Sequence, residues 1–290
     1  MAFQLLIDSF SLGSFYALIA LGFSLIFGVT HAFNLAHGEL ILLSGYLAYA
    51  LGKYFSIPFL CTLPVCMLAL VVVAMLLQQL LQQVQDPFEL NSLVVTFGLA
   101  LVLQNMMLFF FSANYRLIRV PVPPIEFPNL HLFITQTQSL LIGLSLLVTG
   151  SVYLLWRKTF LGKALRATIQ DREAARLAGI NVEHMSLMAF VLGGMLIGLA
   201  GPLYAQREYL HPFGGMEATL IGVIITIFAG VGRIRGILLG GWILGAVESI
   251  TVYFLGASWR ELVSALVLIM LIVVRPEGVL SKGARSERWR

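Results

Sequence analysis

Charge is scarce in this sequence. Only 11% of its 290 residues are Asp, Glu, Lys or Arg, against about 25% in a typical soluble domain. So thin a supply cannot cover a water-facing surface, which excludes an ordinary soluble globule. Cysteine is nearly absent: Cys61 and Cys66 share one apolar run. They read as small buried hydrophobes, and neither a disulfide framework nor a thiolate metal site is expected. A G-x-x-x-x-G-K-[ST] phosphate loop is missing, because Gly52-Lys53 and Gly162-Lys163 lack both the upstream glycine and the following Ser or Thr. H-E-x-x-H, a Cys/His cluster and a recognisable Ser-His-Asp set are missing too. The chain reads as a non-enzyme with no cofactor or metal of its own, and any ATP must be bound and hydrolysed by a partner. The pI near 9.2 is not a nucleic-acid signal, since the basic residues gather at the edges of apolar runs.

Apolar sequence is what the chain has in quantity, with 59% hydrophobic residues. A membrane helix takes about 20 mostly apolar residues. Nine such segments can be drawn, at 5–29, 40–51, 58–84, 90–111, 140–156, 185–204, 219–231, 237–255 and 262–274. The second, seventh and ninth are short for a full span and read as tilted, longer than drawn, or re-entrant. The expectation is an all-α polytopic membrane helix bundle with about eight or nine transmembrane segments, forming one domain over 1–290. The first run has no basic flank and exceeds the usual signal-peptide core of about 7–15 residues. It is expected to stay as a mature helix. Thirteen of the 18 basic residues fall in three stretches, 157–184, 233–235 and 275–290, which nine crossings would place on one face. By the positive-inside rule that face is cytoplasmic, with the N-terminus outside and the C-terminus inside. The longest external connection, 112–138, carries Pro121, Pro123, Pro124 and Pro128 and should be extended.

Three polar features interrupt this pattern. In 157–184, Thr168 and Asp171 have capping-box spacing, and Gly179 sits where a helix C-terminal glycine belongs. Ala174, Ala175, Leu177 and Ala178 lie between them, a small partly apolar surface. Such a helix either docks in a partner's groove or is an ordinary solvated loop helix. In Asn34-Leu-Ala-His37-Gly38-Glu39, His37 or Glu39 lies near a translocation path or gate, or Asn34 and Glu39 merely serve the start of the next helix. Glu248 falls in the middle of an apolar segment, where a charge costs about 2.5–3.5 kcal/mol. It reads as a pathway or network residue, or as a protonated buried one. Gln104 and Asn105 read as interhelical hydrogen bonders, and Gly194 and Gly198 as points of close helix approach.

The pattern Ala167-x-x-x-Asp171-x-x-x-Ala175-x-x-x-Gly179-Ile180-Asn181 resembles the coupling loop of the branched-chain amino-acid ABC permeases, the LivH type. The Asn34–Glu39 stretch is similar to that family's Asn-Phe-Ala-His-Gly-Glu signature, Arg275-Pro276-Glu277-Gly278 to its Arg-Pro-x-Gly end, and Gly232-x-x-x-Gly236-x-x-x-Gly240-Gly241 to a glycine-rich family stretch. Arg233 departs from the small polar residue usual there. The resemblance implies the membrane-spanning permease of an ATP-driven importer for branched-chain or related amino acids, in a bacterial inner membrane. Implied partners are two cytoplasmic ATPase subunits, a second permease subunit expected as a heterodimer, and an extracytoplasmic solute-binding protein. The coupling loop would use Arg166, Asp171, Ala174, Ala175, Gly179 and Ile180, and the path or gate Asn34, His37, Glu39 and Glu248. Urea and short-chain amides are the alternative solutes within the family. An ion-coupled secondary transporter is the rival class; it needs mid-membrane coupling carboxylates, for which Glu248 stands alone.

Overall fold

The computed structural model describes residues 2–119, 125–127 and 132–274. Pro121, Pro123, Pro124, Pro128, the Arg275–Gly278 motif and the basic tail at 275–290 lie outside the described residues. Eleven α-helices occur among those described: α1 Ala2–Thr30, α2 His37–Phe55, α3 Phe59–Gln82, α4 Phe88–Phe111, α5 Gln136–Lys158, α6 Phe160–Gln170, α7 Arg172–Leu177, α8 Val182–Arg207, α9 Gly215–Ala229, α10 Ile234–Leu255 and α11 Arg260–Val274. Nine of them overlie the nine apolar segments; α6 and α7 occupy the charged stretch between the fifth and sixth. Six, namely α1, α3, α4, α5, α8 and α10, are long and apolar enough to cross a bilayer. The chain is an all-α multi-pass membrane bundle. A ribbon of two short antiparallel strands, β1 Ile125–Phe127 and β2 Leu132–Ile134, stands in the connection before α5.

Helix α1 is apolar on every face and lies at the centre, with 94% of its most apolar window buried, as an all-round hydrophobic helix must. It packs chiefly on α10, α8, α9 and α5, and α3 packs on α8. Helix α4, 17% buried by the same measure, stands at the periphery. The expected close approaches occur: the missing Cβ of Gly198 leaves room for the α3 backbone at Cys66 and Met67. Local chemistry sets several helix starts. Thr135 and Gln138 close a reciprocal capping box on α5, Thr159 caps α6 through Gly162 N at 3.0 Å, and Asn181 caps α8 through His184 N at 3.0 Å.

The two short segments, α2 and α9, shape the middle of the bundle. His37, the first residue of α2, places Nε2 3.1 Å from Ile19 O in α1. Ile19 lies 11 residues before the end of α1, about 16 Å along its axis. Residues 31–36 therefore turn back into the bundle before α2 begins. From there α2 runs alongside the C-terminal part of α8, where Gly45 meets Gly201 and Ala205. Helix α9 also starts inside: Gly38 N donates to Thr219 Oγ1 at 2.8 Å. It continues past Ile19 and Phe23 towards the end of α1. The two helices thus leave a common interior point in opposite directions, their N-termini together.

That junction has no room for a side chain at Gly38, where a Cβ would collide with the Gly215 carbonyl and lie 2.7 Å from Thr219 Oγ1. Gly38→Val should therefore destabilise the fold by about 1–3 kcal/mol through overpacking, seen as a lower Tm in detergent. Gly143→Ala in α5, where an added Cβ meets nothing within 4 Å, should leave Tm unchanged or higher.

Candidate functional site

Irregular backbone inside a membrane protein survives only if its polar groups find partners, and residues 31–38 find them in side chains. Ala32 N donates to Thr30 Oγ1 at 3.2 Å and Ala36 N to Asn34 Oδ1 at 3.0 Å. Leu35 N donates to Thr96 Oγ1 of α4 at 3.2 Å, and the same hydroxyl donates to Phe33 O at 3.0 Å. Thr219 of α9 serves Gly38 N and, at 3.3 Å, Leu35 O. Asn34 thus supports the turn before α2. Its Oδ1 bonds two residues on, so Ala36 rather than Asn34 holds the N-cap position.

His37 and Glu39 are buried with Asn34. The His37 ring meets Phe23 edge to face at 5.4 Å. The Glu39 carboxylate rests on the α-carbon side of Gly215, where any Cβ would overlap it. Glu39 is thus in the first turn of α2 and against the first residue of α9, a carboxyl group beside two positive helix ends. Asn34 Nδ2, His37 Nδ1 and Glu39 Oε2 have no hydrogen-bond partner among the described residues.

Glu248 belongs to a second cluster. It is 1% exposed, accepts from the Tyr16 and Ser264 hydroxyls, and pairs with Arg260 Nε at 3.0 Å. Arg260 is the hub: Nη1 reaches Glu208 Oε1 at 3.2 Å, Nη2 reaches Glu217 Oε1 at 3.2 Å and donates to Tyr16 at 2.8 Å. One guanidinium so joins α1, α9, α10, α11 and the segment after α8. The network reading of Glu248 holds geometrically. Its partners do not emerge from the sequence, where Arg260 is one of five basic residues outside the three stretches expected to be cytoplasmic. The spacing of Arg260 and Ser264, one helical turn apart at the start of α11, was the available signal. A cavity of about 760 Å³ opens beside the cluster, lined by Glu208, Glu217, Arg260 and the aliphatic residues Leu220, Ile224 and Ile269.

The structure keeps the two clusters distinct but seats both on the first turn of α9. Glu39 meets Gly215 and Arg260 meets Glu217, two residues on and about 200° round the helix. Asn105 is brought to neither. It is exposed and its Nδ2 donates to Leu101 O in its own helix at 2.7 Å, which corrects the interhelical reading: the amide satisfies itself one turn back.

The charged stretch folds as two helices. Asp171 has extended backbone (φ −158°) between them, and its carboxylate accepts Ala174 N at 2.9 Å. It is the N-cap of α7, not the third residue of a capping box. Thr168 instead bonds Ala164 O within α6 at 3.0 Å. Helix α7 ends in a Schellman motif: Gly179 N donates to Arg176 O and Ile180 N to Ala175 O, both at 3.0 Å. Gly179 has φ +84°, which only glycine holds without strain. Ala175 is 4% exposed and faces the bundle, with Ile180 also packed against the core. It anchors the helix, leaving Ala174, Leu177 and Ala178 outward, Leu177 at 90% exposure. Arg166 sits on α6, its Nε near Gly162 O at 3.4 Å. Arg233 takes the N-cap position of α10, its carbonyl accepting Ile237 N at 3.0 Å, so the turn closes despite the unusual residue.

Comparison with known proteins agrees with this architecture. The family model described as "Branched-chain amino acid transport system / permease component" matches residues 5–274. The chain is 26% identical over 293 residues to the high-affinity branched-chain amino acid transport system permease protein BraD of Pseudomonas aeruginosa, covering 96% of this chain and 95% of that protein. It is 26% identical over 297 residues to the corresponding permease protein LivH of Escherichia coli K12, with the same coverage. Among solved structures, PsaBC from Streptococcus pneumoniae in complex with Fab superposes with a TM-score of 0.51 at 12% identity, over 93% of this chain and 91% of that one, a likeness of fold. With nearly its whole length matched, the chain belongs to the family of branched-chain amino acid transport system permease components.

Proposed function

We propose that this chain is the permease subunit of an ATP-driven importer of branched-chain or related amino acids in a bacterial inner membrane. Separate ATPase subunits drive it, and a second permease subunit and an extracytoplasmic solute-binding protein complete it. On this reading nine helices enter the bilayer, α6 and α7 face the cytoplasm, and the N-terminus is outside. Family membership supports the transport role. The observation that carries ATP coupling is α7: a short helix capped at both ends, anchored inward by Ala175, that presents an exposed Leu177 together with the small residues Ala174 and Ala178. An exposed leucine beside Ala174 and Ala178 on a rigid helix suits docking in a partner's groove, because little side chain there holds the two backbones apart. The secondary-transporter rival is less favoured. Glu248 is tied up by three partners, and the α7 surface would have no role.

Leu177→Asp should abolish co-purification of the ATPase and lower solute-stimulated ATP hydrolysis in proteoliposomes at least tenfold, with membrane insertion unchanged. Gly179→Val should weaken both by straining the C-terminal cap, at about 1–2 kcal/mol for a left-handed backbone. Wild-type values in both variants, or solute uptake driven by an ion gradient without any ATPase, would sink the coupling reading.

The orientation is tested by thiol labelling in a Cys61→Ser, Cys66→Ser background, needed because only Cys66 is buried as expected and Cys61, on the outer face of α3, is exposed. A membrane-impermeant reagent applied to intact cells should modify Tyr54→Cys and spare Leu177→Cys. Labelling at 177 before permeabilisation would reverse the topology and remove the cytoplasmic docking site.

A further inference from the structure

The mixed lining of the cavity beside α9 matches one kind of solute. Its walls carry Glu208, Glu217, Glu248 and Glu261 against the single cation Arg260, so a bare anion is disfavoured there. Two of the contacts to Arg260 differ in access. Glu248 is 1% exposed and, with the fully buried Tyr16, holds the guanidinium through Nε and Nη2 away from solvent. The side chain of Glu217 is 39% exposed and meets Arg260 at the cavity surface at 3.2 Å. Leu220 and Ile224, one turn and two turns beyond Glu217 on α9, continue the wall as aliphatic surface, faced by Ile269 of α11.

We propose that this cavity binds the zwitterionic headgroup of an α-amino acid by insertion into the Arg260–Glu217 pair, with the aliphatic side chain against Leu220, Ile224 and Ile269. The solute carboxylate takes the place of Glu217 on Arg260, and the solute ammonium takes the released Glu217 carboxylate, with Glu208 alongside. Every charge remains paired and the net charge of the cavity is unchanged, so the usual desolvation penalty for bringing a charge into a low-dielectric site is largely offset. Guanidinium and carboxylate geometries are matched for the first contact. A neutral solute such as urea has no charges with which to replace the pair it would separate. Glu248 and Tyr16 are positioning residues, holding Arg260 while its partner changes. The proposal rests on the amino-acid reading above and selects amino acids over amides within it.

The test is equilibrium binding of radiolabelled leucine to the purified permease–ATPase complex, without the solute-binding protein. Unlabelled leucine, leucinamide (no carboxylate) and 4-methylpentanoate (no ammonium) serve as competitors. Wild-type complex should bind leucine about tenfold or more tightly than either analogue, the worth of one charge-assisted contact. Glu217→Gln, which keeps the side-chain volume, should weaken leucine and leucinamide about tenfold or more, by loss of the ammonium's partner, and should strengthen 4-methylpentanoate, whose carboxylate no longer competes with Glu217 for Arg260. Leu220→Phe should shift preference from leucine towards alanine. Equal weakening of all three ligands in Glu217→Gln would mean general distortion and overturn the site. So would absence of leucine binding to a wild-type complex that still transports leucine with its receptor protein, leaving the importer reading intact. Failure of the wild-type assembly to transport any amino acid, with uptake of urea or an amide, would overturn the amino-acid reading and this site together.

Discussion

A polypeptide that breaks its helix inside a bilayer must satisfy every freed backbone group from within, and the rest of this bundle follows from how residues 31–38 do so. Two threonines from distant helices, Thr96 and Thr219, supply hydroxyls that serve Phe33, Leu35 and Gly38. That requirement brings α4 and α9 to the same interior point. It also leaves two helix N-termini, those of α2 and α9, facing each other away from water. Their partial positive charges would repel in a low-dielectric interior; Glu39 lies on both and offsets them. Gly38 permits the approach because nothing larger fits against the Gly215 carbonyl.

Starting α9 in the interior also fixes where its polar first turn lies. Glu217 at the head of a helix that began at the surface would be solvated. Here it lies within reach of Arg260, and with it Glu208 from the segment that leads inward from α8. The guanidinium then pairs with the partly accessible Glu217 and the buried Glu248, and shares Glu208 with Arg207, whose Nε lies 3.7 Å from Glu208 Oε1. Such a hub is costly to bury and strongly destabilising to break. Its presence in a largely apolar bundle suits a site that handles charge.

Much of this was readable in advance, for physical reasons that differ by residue. The nine apolar segments follow from the cost of exposing backbone to lipid, which leaves long uninterrupted runs. Glu248 stood out because one carboxylate in an apolar helix must have a partner. The partner was invisible, because Arg260 sits 12 residues away at the head of the next segment, among the five basic residues outside the three stretches expected to be cytoplasmic, and nothing in the spacing links the two. The depth of the Asn34–Glu39 break was also hidden: only knowledge of which α1 carbonyl His37 reaches reveals that α2 starts inside. Asn105 misled because an amide can satisfy itself on its own helix. The small residues of α7 were read as one surface, whereas a six-residue helix needs one side to hold it down, and Ala175 is that side.

The same geometry supplies a route between the two ends of the proposed importer. Helix α6 ends beside the exit of α9: Ile169 approaches the positions a Cβ would take at Gly28 and Gly232, at 3.2 and 3.4 Å. Gly232 N reaches Ser24 Oγ of α1 at 3.4 Å. Two residues beyond Ile169, Asp171 starts α7. At its other end, about 22 Å away along 15 helical residues, α9 carries Gly215 under Glu39 and Glu217 on Arg260. A helix of this length is stiff, so in the proposed importer a push on α7 would pass to α6, then to the exit of α9, and then to both polar clusters. Because the Arg260–Glu217 pair sits at the far end of that rod, moving α9 along or about its axis changes the separation of the two charges. In the proposed importer that separation is what a zwitterion reads. On the proposed function, the helix that would receive the push also carries Glu217, half of the proposed electrostatic contact with solute, so docking at one end and release at the other would need no further moving part.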